Sequence, residues 1–258
     1  MIKLSAAVIV QNEEKNLPRW LKAVEVVADE IVAVDSGSTD RTVEILELAG
    51  ARVYHRAWTG YSDQRNYLAE QCTGDWILML DADEVINREC IRLLKAFKAN
   101  PEAGMDAYLM PSRVWFFGKW LRWGGFYPEW NPRLYRRGKG TWARQEVHER
   151  LEVKGPMGRL GDCIYDHYSY DSVEDYRERA MRYAEAGARH MLAAGKRCGP
   201  LTGPTHAAWA FVHRYLVRLG FLDGKAGWWA AWLEGVYTLE KYRRLAGLIR
   251  EQKADRVA

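Results

Sequence analysis

The chain has 258 residues, enough for one α/β domain with a full core plus a smaller helical extension, and too few for two independent enzymes. No segment approaches the ~18 uninterrupted apolar residues of a membrane-spanning helix. The net charge of +4 comes from residues 206–258, which hold nine Lys or Arg against five Asp or Glu. This modest charge, without a recognised nucleic-acid-binding motif, argues against a nucleic-acid partner.

The cysteines and the N-terminus indicate the compartment. Cys72, Cys90, Cys163 and Cys198 are widely spaced and include no CxxC pair, so neither a zinc site nor a disulfide framework is predicted, and four reduced cytoplasmic thiols are expected. The apolar run at the N-terminus leads directly into Asn12 and two Glu instead of a small-residue cleavage site. We therefore predict a buried strand there, not a signal peptide.

Strands alternate with helices in the N-terminal part of the chain. The predicted strands are Leu4 to Val10, Ile31 to Val34, Arg52 to Tyr54 and Trp76 to Leu80, and the predicted helices are Lys15 to Val27, Val43 to Leu48 and Ser62 to Glu70. This alternation predicts a parallel, Rossmann-like sheet. Ligands of such sheets bind beyond the carboxyl ends of the strands, where Asn12, Glu13, Asp35 and Asp81 fall.

The alternation ends after Asn100. Val114 to Trp142 contains five of the 12 Trp among Gly, Pro, Arg and Lys, which predicts long loops with a function. Helices are predicted over 172–194 and 206–250. We expect a catalytic domain over 1–170, with a nucleotide-sugar half (1–100) and an acceptor half (101–170), followed by a helical extension over 171–258.

Acidic residues directly follow the fourth predicted strand. The string Asp81-Ala82-Asp83-Glu84 contains a DXD motif that would place carboxylates at the exposed end of a strand. Mg²⁺ or Mn²⁺ bridging a diphosphate would relieve the repulsion between them. A solvated turn with a cap for the helix beginning near Asn87 is the alternative.

Four segments together resemble the family 2 glycosyltransferases of the GT-A fold. They are VIVQNEEKNL, VDSGSTDRTVEI, QRNYL and LDADE, and they cover about the first 100 residues. The resemblance implies an α/β fold with a mostly parallel, Rossmann-like sheet flanked by helices, here with a C-terminal helical extension. It also implies an inverting, metal-dependent transferase that uses a nucleotide diphosphate sugar.

The resemblance implies roles for individual residues. Gln11, Asn12, Glu13 and Asp35 would hold the nucleoside, Arg65 and Asn66 would lie near the nucleotide, Asp81 near the ribose, and Asp83 would bind Mg²⁺ or Mn²⁺. An Arg guanidinium pairs with phosphate oxygens bidentately, although Arg65 as a surface helix residue is the alternative. His167 is the first candidate for a further metal ligand and His148 the second; a structural histidine is the alternative for both.

The general base is sought in the segment from Gln145 to Val153. If the segment is a strand, Glu149 is the acid among apolar neighbours on one face, and desolvation would raise its pKa toward that of a base. Glu149 is therefore the first candidate and Glu146 the second. The stretch WARQEVHERLEV resembles a glucosyltransferase branch of the family that acts on the inner core of lipopolysaccharide.

Aromatic residues interleaved with cations indicate an acceptor site. Trp115, Trp120, Trp123, Trp130 and Arg133 are candidates to stack on sugar rings and pair with phosphates, with His148 beside them in the acceptor half. The alternative is a satellite hydrophobic cluster under a long loop.

The C-terminal segment is amphipathic. Trp209, Val212, Leu216 and Leu219 follow a helical spacing with Arg214 and Arg218 on another side, and the mixture of cations and aromatics continues through Lys225, Trp228, Trp229, Trp232, Lys241, Arg243 and Arg244. Such a helix fits an anionic membrane surface. Packing on the catalytic domain is equally compatible with the pattern.

The resemblance to the glucosyltransferase branch thus implies transfer of a hexose, with glucose from UDP-glucose as first choice, to a hydroxyl of a lipopolysaccharide-core glycolipid or a related glycan. This places the enzyme in the cytoplasm, at the inner face of the cytoplasmic membrane. UDP-galactose, other hexoses and ADP-heptose remain open as donors. The rivals are a nucleotide-sugar or glycan binding protein, and a sugar-phosphate nucleotidyltransferase, whose Gly-rich phosphate loop is replaced here by QNEEKNL.

Overall fold

Helices and strands alternate over the N-terminal part of the computed structural model, as predicted. The structure describes residues 2–100, 104–143, 150–170 and 173–254. The elements of this part are β1 (Leu4–Val10), α1 (Leu17–Val24), β2 (Glu30–Asp35), α2 (Thr42–Leu48), β3 (Arg52–His55), α3 (Tyr61–Gln71), β4 (Trp76–Met79), β5 (Glu84–Ile86) and α4 (Arg88–Ala99). Asn87 caps α4, since its side chain accepts a hydrogen bond from the Cys90 amide at 2.8 Å.

The segment 114–142, predicted as long loops, contains strands. The following elements are β6 (Ala107–Phe116), β7 (Lys119–Trp120), β8 (Glu129–Arg136), β9 (Gly140–Ala143), β10 (Arg150–Val153), β11 (Met157–Arg159) and β12 (Tyr165–Tyr170). The loop prediction is wrong because these strands pair with remote partners, β8 with β4 and β6. Such pairing leaves little local signal in a segment rich in Gly and charge.

One sheet carries most of these strands, in the order β3-β2-β1-β4-β8-β6-β12-β5. β1 pairs in parallel with β2 and β4, and β2 with β3. From β4 the sheet continues with antiparallel pairings to β8 and β6, and β12 pairs antiparallel with β5. The parallel half gathers the carboxyl ends of β1, β2 and β4 at one edge.

Both faces of this sheet are buried. From β1, Leu4, Ala6 and Val8 enter the core that includes residues of α1 and α4, while Ala7 enters the core on the other face with Leu68 of α3. A strand covered on both faces has a continuous apolar sequence, which explains why Leu4–Val10 was recognisable. The two cores fix the strand ends that carry the polar residues.

The chain divides into two compact units. The first comprises residues 1–113, 129–145 and 149–168, and the second comprises 114–128, 146–148 and 169–258. In the second unit α5 (Val173–Ala193), α6 (Thr202–Val212) and α7 (Lys225–Ala254) are the long helices. Small residues allow close packing: a Cβ at Gly187 of α5 would lie 3.1 Å from Lys241, and one at Gly203 of α6 would lie 3.1 Å from Tyr242.

The helix predicted over 206–250 is interrupted, so that prediction is wrong at its centre. After α6 come a π-helical turn (His213–Val217), Leu219 with a φ of 58°, and a 3-10 turn (Gly220–Asp223). Leu216 and Leu219 therefore do not continue one helix with Trp209. A close backbone contact accompanies the break: α7 packs on the 3-10 turn so closely that a Cβ at Gly227 would lie 1.8 Å from the Gly220 carbonyl oxygen.

Two of the cysteines correct the expectation of four free thiols. Cys90 and Cys163 form a disulfide, whereas Cys72 and Cys198 are free. The two bonded residues are 73 positions apart, and spacing could not pair them because the fold brings the start of α4 to the segment before β12. None of the helices in the described part of the chain combines the length and apolarity needed to span a bilayer.

Candidate active site

The turns after β1 and β2 interlock at the carboxyl edge of the sheet. Asn12 has a φ of 59°, and its side-chain oxygen accepts a hydrogen bond from the Thr39 amide at 2.8 Å. Its own amide donates to the Ser38 hydroxyl at 2.9 Å. Gln11 reaches the Ser36 carbonyl at 3.5 Å, and the Glu13 amide donates to the Thr42 hydroxyl at 2.7 Å. The predicted nucleoside residues of the first loop thus face the second loop.

Asp35 ends β2 and is 2% exposed. Its carboxylate accepts hydrogen bonds from the amides of Gly37 and Ser38, both at 3.1 Å, and lies 3.2 Å from Nδ1 of His55. Burial raises the pKa of this carboxyl, but the hydrogen bonds from Ser38, Gly37 and His55 outweigh it, so its pKa lies below the ordinary value. Asp35 is therefore a fixed anion at this edge.

Asp81 lies directly after β4, between two guanidinium groups. Arg65 Nη2 of α3 donates to Asp81 Oδ1 at 2.8 Å, and Arg133 Nη2 of β8 lies 3.5 Å from Oδ2. Burial raises the pKa of Asp81, but the charges of Arg65 and Arg133 outweigh it and hold the pKa well below its usual range. The first unit thus brings together the predicted Arg65 and Asp81.

Glu84 is the buried residue that sequence reasoning missed. Its side chain is 1% exposed, pairs with Arg133, and accepts the Asp81 amide hydrogen bond at 3.1 Å. Burial raises the pKa of Glu84 against the opposing charge of Arg133. The signal was present, since Glu84 is the third acid of the LDADE string. Arg133, predicted to bind the acceptor, is placed here among the acids.

Asp83 and His167 form a pair on neighbouring strands. The antiparallel register of β5 and β12 aligns His167 with Glu84, and His167 Nε2 lies 3.4 Å from Asp83 Oδ2. Burial lowers the pKa of His167, but the hydrogen bond and charge of Asp83, together with Glu84 and Asp81, raise it to about 9. We define Asp81, Asp83, Glu84 and His167 as the acid cluster.

The oxygen and nitrogen atoms of the acid cluster suit a divalent cation that is coordinated partly by the protein and partly by a bound ligand. A carboxylate oxygen of Asp83 and an imidazole nitrogen of His167 both suit Mn²⁺. Among the described residues, no group of three or more His, Cys, Asp and Glu side chains is arranged to hold a metal by itself. Phosphate oxygens and water would complete the shell, as is usual for such ions.

Helix α3 attaches β9 to this site. The Asn66 side chain donates to the Trp142 carbonyl at 2.9 Å and accepts from the Trp142 amide at 2.8 Å, while the Ser62 hydroxyl donates to the Ala143 carbonyl at 2.7 Å. The Arg65 guanidinium carbon lies 4.7 Å from the centroid of the Trp142 ring. Both ends of the Asn66 amide thus bind main chain, and its predicted contact with the nucleotide stays a prediction.

The predicted acceptor and base residues are distributed over several parts of the chain. Trp115 and Trp120 pair across the β6–β7 hairpin with ring centroids 4.8 Å apart, and with Trp123 they belong to the second unit. Trp130 is in the first unit, where the Arg159 guanidinium lies 5.0 Å from its ring. Glu146, His148 and Glu149 lie outside the described residues, so their roles stay predictions.

Known proteins resemble the chain over most of its length. An uncharacterized glycosyltransferase of Rickettsia felis is 28% identical over 96% of this chain and 90% of its own. The lipopolysaccharide core biosynthesis glycosyltransferase LpsC of Rhizobium meliloti is 31% identical over 76% of this chain and 74% of its own.

Solved structures share the fold. The mannosyltransferase PcManGT of Pyrobaculum calidifontis, in complex with GDP-Man and Mn²⁺, superposes with a TM-score of 0.51 at 16% identity, covering 100% of this chain and 81% of its own. S. aureus TarS 1-349 gives 0.51 at 17% identity, covering 97% and 92%. These likenesses confirm the predicted GT-A fold, with a mixed sheet flanked by helices and C-terminal helices. Because the family model described as glycosyl transferase family 2 also matches residues 5–151, the chain belongs to glycosyl transferase family 2.

Proposed function

We propose that this protein is an inverting, metal-dependent glycosyltransferase that moves a hexose, with glucose as first choice, from a UDP-sugar to a hydroxyl of a lipopolysaccharide-core or related glycolipid. The observation that carries the proposal is the acid cluster after β4, with Arg65 beside Asp81 at 2.8 Å. A cluster of acids bordered by buried guanidinium groups suits a ligand that carries both phosphate and a divalent cation.

The donor end of the proposal rests on the two loops of the carboxyl edge. Asp35 is an anion of depressed pKa that would accept hydrogen bonds from the nucleoside, and Asp81 would accept them from the ribose. UDP is favoured by analogy, because S. aureus TarS 1-349 has been crystallised with UDP-GlcNAc, with a TM-score of 0.50 to this chain. PcManGT was crystallised with GDP-Man, so nucleotide sugars with different nucleobases must be compared by experiment.

Asp83 and His167 would hold Mg²⁺ or Mn²⁺, and Arg65 and Arg133, which lie beside Asp81, would orient the diphosphate. When bound, the cation would neutralise the charge that develops on the departing diphosphate. Glu149, or Glu146 as second choice, would accept the proton of the attacking hydroxyl. Attack opposite the leaving group inverts the anomeric centre, as the family resemblance implies.

The acceptor is proposed from the similarity to LpsC, whose name assigns it to biosynthesis of the lipopolysaccharide core. In this proposal Trp115, Trp120 and Trp123 of the second unit, and separately Trp130 of the first unit, are candidates to stack on sugar rings. Synthesis of such a glycolipid from a nucleotide sugar would take place at the cytoplasmic face of the inner membrane.

Donor hydrolysis tests the reaction. Purified protein is incubated with UDP-, GDP-, ADP- and CMP-sugars with and without Mn²⁺, using wild type, Asp83→Ala and the exposed-site control Glu44→Ala. We expect metal-dependent release of UDP that Asp83→Ala abolishes and Glu44→Ala leaves unchanged. If the protein binds a nucleotide sugar but releases no nucleoside diphosphate from it, even with lipopolysaccharide core present, it is a binding protein and the proposal is contradicted.

Transfer to an acceptor identifies the base. Lipopolysaccharide core truncated at successive sugars is offered with the donor that passes the first test, and transfer by Glu149→Gln and Glu146→Gln is compared. Loss of a general base lowers the rate by about 10² to 10⁴, so we expect that loss in one variant with unchanged affinity for UDP. If both variants transfer at the wild-type rate, neither glutamate is the base.

A further inference from the structure

The second unit presents a group of large apolar side chains to solvent. Each is 38–57% exposed, and most lie around the interruption between α6 and α7. We name this group the apolar rim: Trp123, Leu216, Val217, Leu219, Phe221, Leu222, Trp228, Trp229 and Trp232. Large contiguous apolar groups at a protein surface indicate an interaction site.

Internal contacts hold the members of the apolar rim together. The buried carboxylate of Asp223 accepts hydrogen bonds from the amides of Arg122 and Trp123 at 3.0 and 2.8 Å, and so ties the loop that carries Trp123 to the 3-10 turn. The rings of Trp228 and Trp232 stack with centroids 5.7 Å apart. The start of α7 contacts the same turn through Gly227 and Gly220. The rim is thus built on fixed backbone.

The exposed charges in the segments that carry the apolar rim have one sign. Between His206 and Leu233 the sequence contains a single acidic residue, Asp223, and it is only 3% exposed. Arg122, Arg218 and Lys225 are exposed. The next acid, Glu234, lies 3.1 Å from Arg214. The exposed charged residues within the segments 114–128 and 206–233, which carry the apolar rim, are therefore cations.

We propose that the apolar rim docks on the surface of an anionic lipid bilayer. Trp, Phe and Leu side chains on a fixed turn enter the boundary between headgroups and acyl chains, and Lys and Arg beside them pair with anionic headgroups. A symmetric contact between two copies would oppose the same patch to itself and bring its cations together. The inference goes beyond the proposed reaction, because the rim contains no residue of the acid cluster and, of the residues proposed to stack on the acceptor, it contains Trp123 alone.

Vesicle flotation tests the proposal. The full chain is floated with vesicles of phosphatidylcholine and with vesicles of phosphatidylcholine mixed with phosphatidylglycerol. The variants are Leu222→Glu in the rim, Lys225→Glu at its edge, and Leu48→Glu as the control, since Leu48 is 78% exposed on α2. Lys225→Glu puts an acid at the N-terminus of α7, which favours the helix, so the fold is retained while the charge is reversed.

We expect wild type to float with the mixed vesicles, and less so at high salt. Lys225→Glu and Leu222→Glu should each weaken binding about tenfold, while Leu48→Glu floats like wild type. Unchanged melting temperatures show that the variants are folded. Failure of wild type to float, or equal flotation of Leu222→Glu, would overturn the proposal.

Light scattering tests the alternative that the apolar rim binds a second copy of the chain. A wild-type dimer that Leu222→Glu dissociates, without vesicle binding, would assign the apolar rim to a second copy of the chain and overturn the lipid proposal. Because the assay uses no nucleotide sugar, its failure is distinguishable from failure of the proposed reaction.

Discussion

Single residues at the site are held by charge pairs whose removal is measurable. Glu84 is buried and pairs with Arg133, and breaking such a pair leaves an uncompensated buried charge. We expect Arg133→Met, which leaves the buried Glu84 carboxylate without its cation, to lower the free energy of unfolding by about 3 kcal/mol, measured by urea unfolding. The control is Glu44→Gln, since Glu44 is paired with Arg41 at 2.9 Å on the surface and should change almost nothing. Equal stability of the two variants would contradict the buried pair.

Glu30 gives the stability of the chain a pH dependence. Burial raises its pKa, but hydrogen bonds from Ser5, Thr73 and Arg52 lower it from 4.5 to about 2. Because the folded pKa is depressed, the stabilisation is complete above the ordinary value and is lost as the pH falls toward 2. We expect Glu30→Gln to cost about 2 kcal/mol at about pH 7 and less than half of that at about pH 3. A cost independent of pH in urea unfolding would show that the shift is absent.

At the scale of elements, the start of α7 depends on close approach of two backbones. A Cβ at Gly227 would lie 1.8 Å from the Gly220 carbonyl oxygen, whereas one at Gly247 of the same helix meets no described atom within 4 Å. We expect Gly227→Ala to destabilise the chain by about 3 kcal/mol, and Gly247→Ala to stabilise it by about 0.5 to 1 kcal/mol. Melting temperatures of both variants test this pair, and a Gly227→Ala variant as stable as wild type would refute the close contact.

Helix α3 is the element that joins most of the site. Its Arg65 contacts Asp81 at 2.8 Å, and its Asn66 binds the main chain of Trp142. The sequence identified both residues through the QRNYL string, but it assigned both to the nucleotide. Adjacent helical residues point in directions about 100° apart, so the neighbours on α3 meet different strands.

At the scale of the whole molecule, nucleotide binding stabilises the folded state. A ligand at about 100 times its dissociation constant contributes about 2.7 kcal/mol, so UDP should raise the melting temperature and CMP should not. Asp35→Asn should reduce the shift, because the buried anion at the end of β2 would be replaced by a neutral amide. An undiminished shift in this variant would exclude Asp35 from the nucleotide site.

The sequence by itself determined the parallel half of the sheet and the acids at its edge. Strands buried on both faces have continuous apolar runs, and helices with one apolar face have a local period, so β1 to β4 were predicted within a few residues. Asp35 and Asp81 followed from their positions at strand ends. Motifs in these same segments carry the resemblance to the family.

Only the tertiary structure decided which remote residues reach the acids. Arg133 meets Glu84 across 49 positions, and His167 meets Asp83 because β12 pairs with β5. The disulfide between Cys90 and Cys163 was set in the same way. Antiparallel pairing of remote strands depends on partners far along the chain, which the local pattern of apolar residues does not specify.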